Sequence, residues 1–296
     1  MHEDVRAKLL KRYRVTDGKG FSLADHDPGD TDGIDVGEEE AKVLLQQGVE
    51  RLSALQEALF ANGRWALLAV FQAMDAGGKD GTIKHVMSGV NPQGVSVTSF
   101  KQPGPVELGH DFLWRIHSAV PTRGRIGIFN RSHYEEVLVT RVHPQVLDKQ
   151  DLPDERRKSK FWKHRYRDIR NFERYLDRQG TIVLKFFLHI SKEEQRTRFL
   201  SRLDDPNKRW KFSASDLAER DFWDDYQSAY EDAIAATALP EAPWIVVPGD
   251  KKWYARLVVV EAMIDALENL GLFAPTVAPS DEEHLIKAKK QLEDEG

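Results

Sequence analysis

An α/β fold, with a mostly parallel five-stranded sheet covered on both faces by helices, is the architecture this 296-residue sequence predicts. Two observations carry that expectation. Short apolar runs alternate with amphipathic stretches from residue 65 to residue 270, the pattern of strands that need helices to cover them. The first of these runs also leads into a glycine-rich turn ending in lysine, the order strand, phosphate-gripping loop, helix.

Residues 65–72 (WALLAVFQ) form a nearly unbroken apolar run, as a strand buried on both faces requires. Residues 94–100 make a shorter, alternating strand, 125–130 (RIGIFN) a third, 181–190 (TIVLKFFLHI) a β-branched and aromatic fourth, and 244–247 the last. Helices are expected between them, over 81–90, 106–118, 154–179, 192–203, 216–239 and 251–270. The first sixty residues read as an extension. Residues 24–37, rich in Asp, Gly and Pro, are expected as a surface arm, and 38–60 as a helix with Val43, Leu44, Val49, Leu52, Leu55 and Leu59 near one face. With no internal repeat and no linker, the simplest organisation is an arm and helix over 1–60, one domain over 61–275 and a tail over 276–296.

Composition narrows the class. Apolar residues at 41% and aromatics at 9% argue against disorder. The chain has no cysteine, which excludes disulfides and thiolate metal sites and fits a reducing compartment. Met1-His2-Glu3-Asp4 lacks the basic start and apolar run of a signal peptide. No stretch approaches the ~20 apolar residues of a membrane span, so the expectation is a cytoplasmic protein without a membrane partner. The net charge of −5 hides an asymmetry: eight acids and no Lys or Arg lie between Ala24 and Ala41, whereas Arg156 to Arg178 holds ten Lys or Arg against three acids. Such a basic stretch focuses a positive field at one place.

The candidate site begins at residues 73–82, AMDAGGKDGT. Small residues let the backbone N–H groups of Ala76, Gly77, Gly78, Asp80, Gly81 and Thr82 converge on phosphate oxygens, and a helix N-terminus adds favourable partial charge. Lys79 supplies a cation for a transferring phosphoryl group. The pattern departs from the usual Gly-x4-Gly-Lys-Ser/Thr: Ala73 stands at the first glycine, and Asp80 where a hydroxyl holds magnesium. Asp75, inside the loop, offers the hard oxygen ligand instead. The strand at 125–130 ends in Asn130-Arg131, with a neutral amide where P-loop enzymes usually carry a carboxylate, and an arginine placed to stabilise phosphate charge.

At this point the chain resembles the family-2 polyphosphate kinases. The resemblance rests on AMDAGGKDGTIKHVMSGVNPQG (73–94), HDFLWR (110–115), GIFNRSHYEEVLVTRVHP (127–144) and LDDPNKRWKFS (203–213), which come in order and span roughly residues 25–270. It implies a P-loop kinase-like core with a helical lid at about 145–180, dependence on Mg2+ with Mn2+ as a substitute, and self-association as a dimer or tetramer. Asn130 with Glu135 and Glu136 is similar to the subgroup called class III, whose members phosphorylate nucleoside mono- and diphosphates from polyphosphate. By position, Asp75 is the metal-binding loop carboxylate, Lys79 the loop lysine and Arg131 the phosphate-binding arginine. Glu135 falls where that subgroup carries an acid linked to nucleotide selectivity.

Two basic stretches remain. Arg156, Arg157, Lys158, Lys160, Lys163, Arg165, Arg167 and Arg170 crowd one expected helix; it reads either as a solvated face or as a lid over phosphates. Phe161, Trp162 and Tyr166 there sit at helical spacing, so core packing accounts for them as well as base stacking does, and no nucleic-acid partner is expected. Lys208, Arg209 and Lys211 follow the helix-breaking Asp205-Pro206-Asn207 and are expected to reach phosphates, with Trp210 anchoring their loop. The histidines lack metal-site spacing. The reaction expected is direct phosphate transfer between polyphosphate and AMP or ADP. The alternatives are an ATP-dependent nucleoside monophosphate kinase on the same core, and a module that binds phosphate without turnover.

Overall fold

The computed structural model describes residues 1–272 and 279–295. Its sheet has six strands: β1 (Arg14–Val15), β2 (Ala66–Gln72), β3 (Val95–Ser99), β4 (Ile126–Asn130), β5 (Thr181–His189) and β6 (Trp244–Pro248). Their order is β1-β6-β5-β2-β4-β3. All five strands expected from sequence are present and mutually parallel, with β2 flanked by β4 and β5. The sixth, β1, is a two-residue antiparallel edge on β6, too short to leave an alternation signal.

Every residue of β2 is buried, because both sheet faces are covered. Leu67, Ala69 and Phe71 point into one core with Ile126, Phe186 and the helix Lys252–Glu268. Leu68 and Val70 point into the other, with Phe129, Val183, Phe187 and Trp244. This is the period-2 alternation of a strand, with both faces apolar.

The N-terminal region is built into this frame rather than appended to it. Helix Glu3–Tyr13 buries Leu9, Leu10 and Tyr13; Tyr13 Oη lies 2.8 Å from Tyr254 Oη, and Arg14 donates to Asp265 at 2.5 Å. The expected arm at 24–37 is tied down: Gly33 N–H donates to Tyr254 Oη at 3.0 Å, and Asp250 N–H to the Pro28 carbonyl at 3.0 Å. Helix Glu38–Asn62 buries Val49, Leu52, Leu55 and Leu59 while Val43 lies outside.

The expected lid at about 145–180 divides in two. Its second half, helix Phe161–Arg178, buries Tyr166, Ile169, Phe172 and Leu176 in the core on the β5 face; it is a layer of the fold. Helix 154–179 therefore starts seven residues later than expected, after a 3-10 turn at Asp154–Arg156. Similarly, 106–118 is two short helices, Pro105–Leu108 and Trp114–Ser118, and 216–239 splits into Ala214–Ala218, a 3-10 turn and Trp223–Thr237. Among the described residues no helix is long and apolar enough to cross a membrane.

The layer helix is fastened by a buried ion pair. Glu173 accepts from Lys185 Nζ at 2.6 Å and from Tyr134 Oη at 2.8 Å, and Lys185 also donates to the Thr237 carbonyl at 2.8 Å. Both charged side chains are fully buried. Burial pushes the Glu173 carboxyl up, but Lys185 and His133 more than offset it and hold it below its ordinary range. Removing one partner leaves an uncompensated interior charge. Lys185→Met is therefore expected to cost about 3–5 kcal/mol in urea unfolding, and Lys185→Met with Glu173→Gln clearly less.

Candidate active site

The parallel strands place their carboxyl ends along one edge of the sheet, where ligands of open α/β folds bind. There β2 must turn within six residues into helix Lys79–Val86. The turn uses two left-handed residues, Ala76 (φ +59°) and Gly78 (φ +95°). A side chain at Gly77 has no room: a Cβ would sit 2.5 Å from that of Ala73. The first hydrogen bond of the helix runs from Thr82 N–H to the Gly78 carbonyl at 2.9 Å, so the N–H groups at 79–81 have no intrahelical partner and the positive end of the helix faces the cleft. Lys79 folds back and donates to the Ala73 carbonyl at 2.8 Å.

The structure brings Asn130, Arg131 and Glu135 to this turn. Arg131 follows β4 in the left-handed region (φ +63°) and donates to Asp75 at 3.1 Å and to Glu135 at 3.4 Å. Glu135 is the largest influence raising its pKa, so Arg131 is a fixed cation held between two carboxylates. Asn130 donates from Nδ2 to Asp80 Oδ1 at 2.6 Å. The two departures from the usual pattern are thus partners: the carboxylate stands at the helix start and the amide at the strand end. Two carboxylates at that separation would repel.

A cleft of about 750 Å³ opens above the loop, lined by residues 75–82, Asn130, Arg131, Arg198, Arg202, Lys208, Lys252 and Arg256, among others. A second cavity of about 390 Å³ lies beside it, lined by Phe112, Ile116, Glu135, Glu136, Val139, Val146 and Gln150 with others. Phe100, Lys101, Gln102 and Arg131 line both cavities, so Arg131 stands where they meet. Residues from the first half of the expected lid, Gln145 to Gln150, line the second cavity. None of the basic residues from Arg156 to Arg170 lines the first. Arg165 instead lies 3.0 Å from Glu136 and over the Phe112 ring at 4.4 Å, and Arg170 donates to the Ala236 carbonyl at 2.9 Å.

Of the 208–211 cluster, Lys208 reaches the cleft, paired with Asp205 at 2.7 Å. Arg209 turns back to the Leu203 carbonyl at 2.7 Å. The Lys211 side chain lies outside the described residues. Trp210 is 77% exposed and donates to the Asn207 carbonyl within its own loop at 3.0 Å. His133 is buried, 3.3 Å from Glu173, and belongs to the interior network rather than the cleft.

Sequence reasoning missed the cations on two helices. Arg198 and Arg202 lie on Lys192–Asp204, Lys252 and Arg256 on Lys252–Glu268. The spacing of four in each pair was the available signal, since it puts both on one helix face. Arg202, Lys252 and Arg256 have no carboxylate partner among the described residues, and burial followed by the proximity of Arg198 lowers the pKa of both Lys252 and Arg256.

A parallel sheet whose central strand ends in a phosphate loop, with a lysine and arginine over a cationic cleft, defines a P-loop phosphotransferase. Residues 35–271 match the family model described as Polyphosphate kinase 2 (PPK2), and the chain belongs to that family. It is 49% identical to the ADP-polyphosphate phosphotransferase of Rhodopseudomonas palustris, over 95% of this chain and 98% of that one. It is 48% identical to the AMP/ADP-polyphosphate phosphotransferase of Meiothermus ruber, over 94% and 100%. The crystal structure of Polyphosphate Kinase 2 from Arthrobacter aurescens TC1 is similar at a TM-score of 0.85 and 44% identity, covering 96% of each chain.

Burial, then Arg131, lowers the Lys79 ammonium to about 8, against the pull of Asp75, Glu135 and Asp80. A lowered lysine pKa means the cation is present below that value and lost above it. The pH profile of kcat/KM is thus expected to fall about tenfold per unit above pH ~8. In Lys79→Arg, whose guanidinium stays charged, that alkaline limb is expected to vanish although the rate itself is lower.

Proposed function

We propose that the chain transfers the terminal phosphoryl group of inorganic polyphosphate to AMP or ADP, reversibly, with the polymer in the larger cleft and the nucleotide in the smaller cavity. The observation that carries the reading is the excess of cations in that cleft: Arg202, Lys252 and Arg256 line it without an ion-pair partner among the described residues, beside Arg131, Arg198 and Lys208 and with Asp75, Asp80 and Asp216 as its carboxylates. Like charges crowded together without partners are costly unless a polyanion fills the space. A polyphosphate chain, with about one charge per phosphate and no bases, matches a cleft lined by many cations and a single aromatic residue, Phe100. The second cavity, with Phe112, Ile116, Val139 and Val146 in its wall, suits a nucleoside. The names of the two relatives, which act on ADP and on AMP and ADP, support the acceptor class.

The step is a single displacement. An oxygen of the acceptor's terminal phosphate bonds to the end phosphorus of the polymer; the bridging P–O bond breaks, and its electron pair leaves with the polymer shortened by one unit. The acceptor oxygen is already ionised, so no general base is needed. Lys79, the N–H groups at 79–81 and Arg131 neutralise charge on the group in transit, and Arg131, fixed between Asp75 and Glu135, aligns the two phosphates.

Asp75 fits a magnesium ion, because its carboxylate is 29% exposed beside the loop and magnesium takes one or two carboxylates with phosphate oxygens rather than a protein cage. Among the described residues no cluster of three or more His, Cys, Asp or Glu is arranged to hold a metal, so the substrate phosphates would supply the remaining ligands. Bound there, the ion would screen the phosphate charges. Self-association as a dimer or tetramer belongs to the same reading and is tested by sedimentation.

Three outcomes are expected. Lys252→Gln with Arg256→Gln should raise the KM for long-chain polyphosphate about tenfold or more and make it less sensitive to salt, leaving the ADP KM within about twofold. Equal effects on both substrates would place the polymer elsewhere. Lys79→Ala should lower kcat on the order of a hundredfold, and chelation of divalent cations by EDTA should abolish turnover until Mg2+ is restored.

A further inference from the structure

Helix Lys192–Asp204 turns two polar side chains onto the outer side of the phosphate loop. Gln195, only 2% exposed, donates from Nε2 to the Asp75 carbonyl at 2.8 Å. Arg198, 7% exposed, donates from Nη1 to the Ala76 carbonyl at 3.1 Å, from Nη2 to the Gly249 carbonyl at 2.5 Å and from Nε to Glu194 at 2.7 Å. Residues three apart share a helix face, so one rigid element grips two successive carbonyls. Arg220 donates to Gln195 Oε1 at 2.8 Å, which fixes the amide with its NH2 end toward Asp75.

The grip matters because of what the loop does at Ala76. A residue with a side chain is strained in the left-handed region and persists there only when its surroundings hold it. If either carbonyl were released, rotation of its peptide would turn an oxygen toward the space where a phosphate is to lie. Gly78 packs against the same guanidinium: a Cβ there would be 3.2 Å from Arg198 Nη1. Arg198 borders the cleft, but the three hydrogen bonds described for its guanidinium all end on protein atoms, two of them on carbonyls, so it is fixed to the loop.

We propose that Gln195 and Arg198 are positioning residues for the transfer, holding the carbonyls of Asp75 and Ala76 outward so that the Asp75 carboxylate and the N–H groups at 79–81 face the phosphoryl group. The proposal rests on the reading of this loop as the donor phosphate site.

The test uses the full chain with Gln195→Met, which keeps length and volume and drops the amide, and Arg198→Lys, which leaves one ammonium where a fork spanned two carbonyls. Each is expected to lower kcat about tenfold or more, as small misplacements of reacting groups do. The ADP KM is expected to stay within about twofold, since neither side chain lines the nucleotide cavity. Activity is normalised to the folded fraction from thermal unfolding. A normalised kcat within about twofold of the parent in either folded variant overturns the proposal, as does an equal loss carried by the ADP KM. Should Arg198→Lys fail to fold, Gln195→Met decides on the same criteria. A parent chain inactive with polyphosphate contradicts the functional reading instead, so the two failures are distinguishable.

Discussion

The turn from Ala73 to Gly78 is the constraint on which the rest of the structure depends. A fully buried strand must end, reverse its carbonyls and start a helix in six residues. It can do so only with two left-handed residues and a glycine wedged against Ala73. The resulting array of free N–H groups is an anion site by construction. Its neighbours in the sheet, β4 and β5, bring Arg131 and the helix Lys192–Asp204 to the same place. Binding power and strain therefore have one source.

Charge balance divides the molecule into two regimes. In the interior, Glu173 and Lys185 are matched and fully buried, and serve to join layers. Around the cleft, Arg202, Lys252 and Arg256 have no ion-pair partner among the described residues, and burial followed by a neighbouring arginine lowers Lys79, Lys252 and Arg256 alike. A polyanion entering that space restores the balance. On the proposed reading, the same polyanion would also raise the protonation of Lys79.

The core was legible because its signals are local. An unbroken apolar run such as 66–72 can satisfy both its faces only in a covered parallel sheet, and a glycine-lysine turn after it restricts the chain to few conformations. The partnership of Asn130 and Asp80 was half legible: both residues stood out as irregular, but their 2.6 Å contact joins positions fifty residues apart. The cationic wall was not read, because Arg198, Lys252 and Arg256 become neighbours only after β5 and β6 pair. At Arg156–Arg170 charge density alone left a solvated face and a lid both open. A count of cations does not say which helix face meets the core, and Phe172 and Leu176 turn that helix onto the sheet.

The central claim is that phosphate passes from polymer to nucleotide in one step with no other donor. It is tested most directly by following 31P resonances of purified protein with long-chain polyphosphate, Mg2+ and either AMP or ADP, free of ATP at the start. The expected result is one new nucleotide phosphate for each unit lost from the polymer, without accumulation of inorganic phosphate. Polymer left intact with both acceptors, in a preparation that phosphorylates AMP when ATP is supplied, would contradict it.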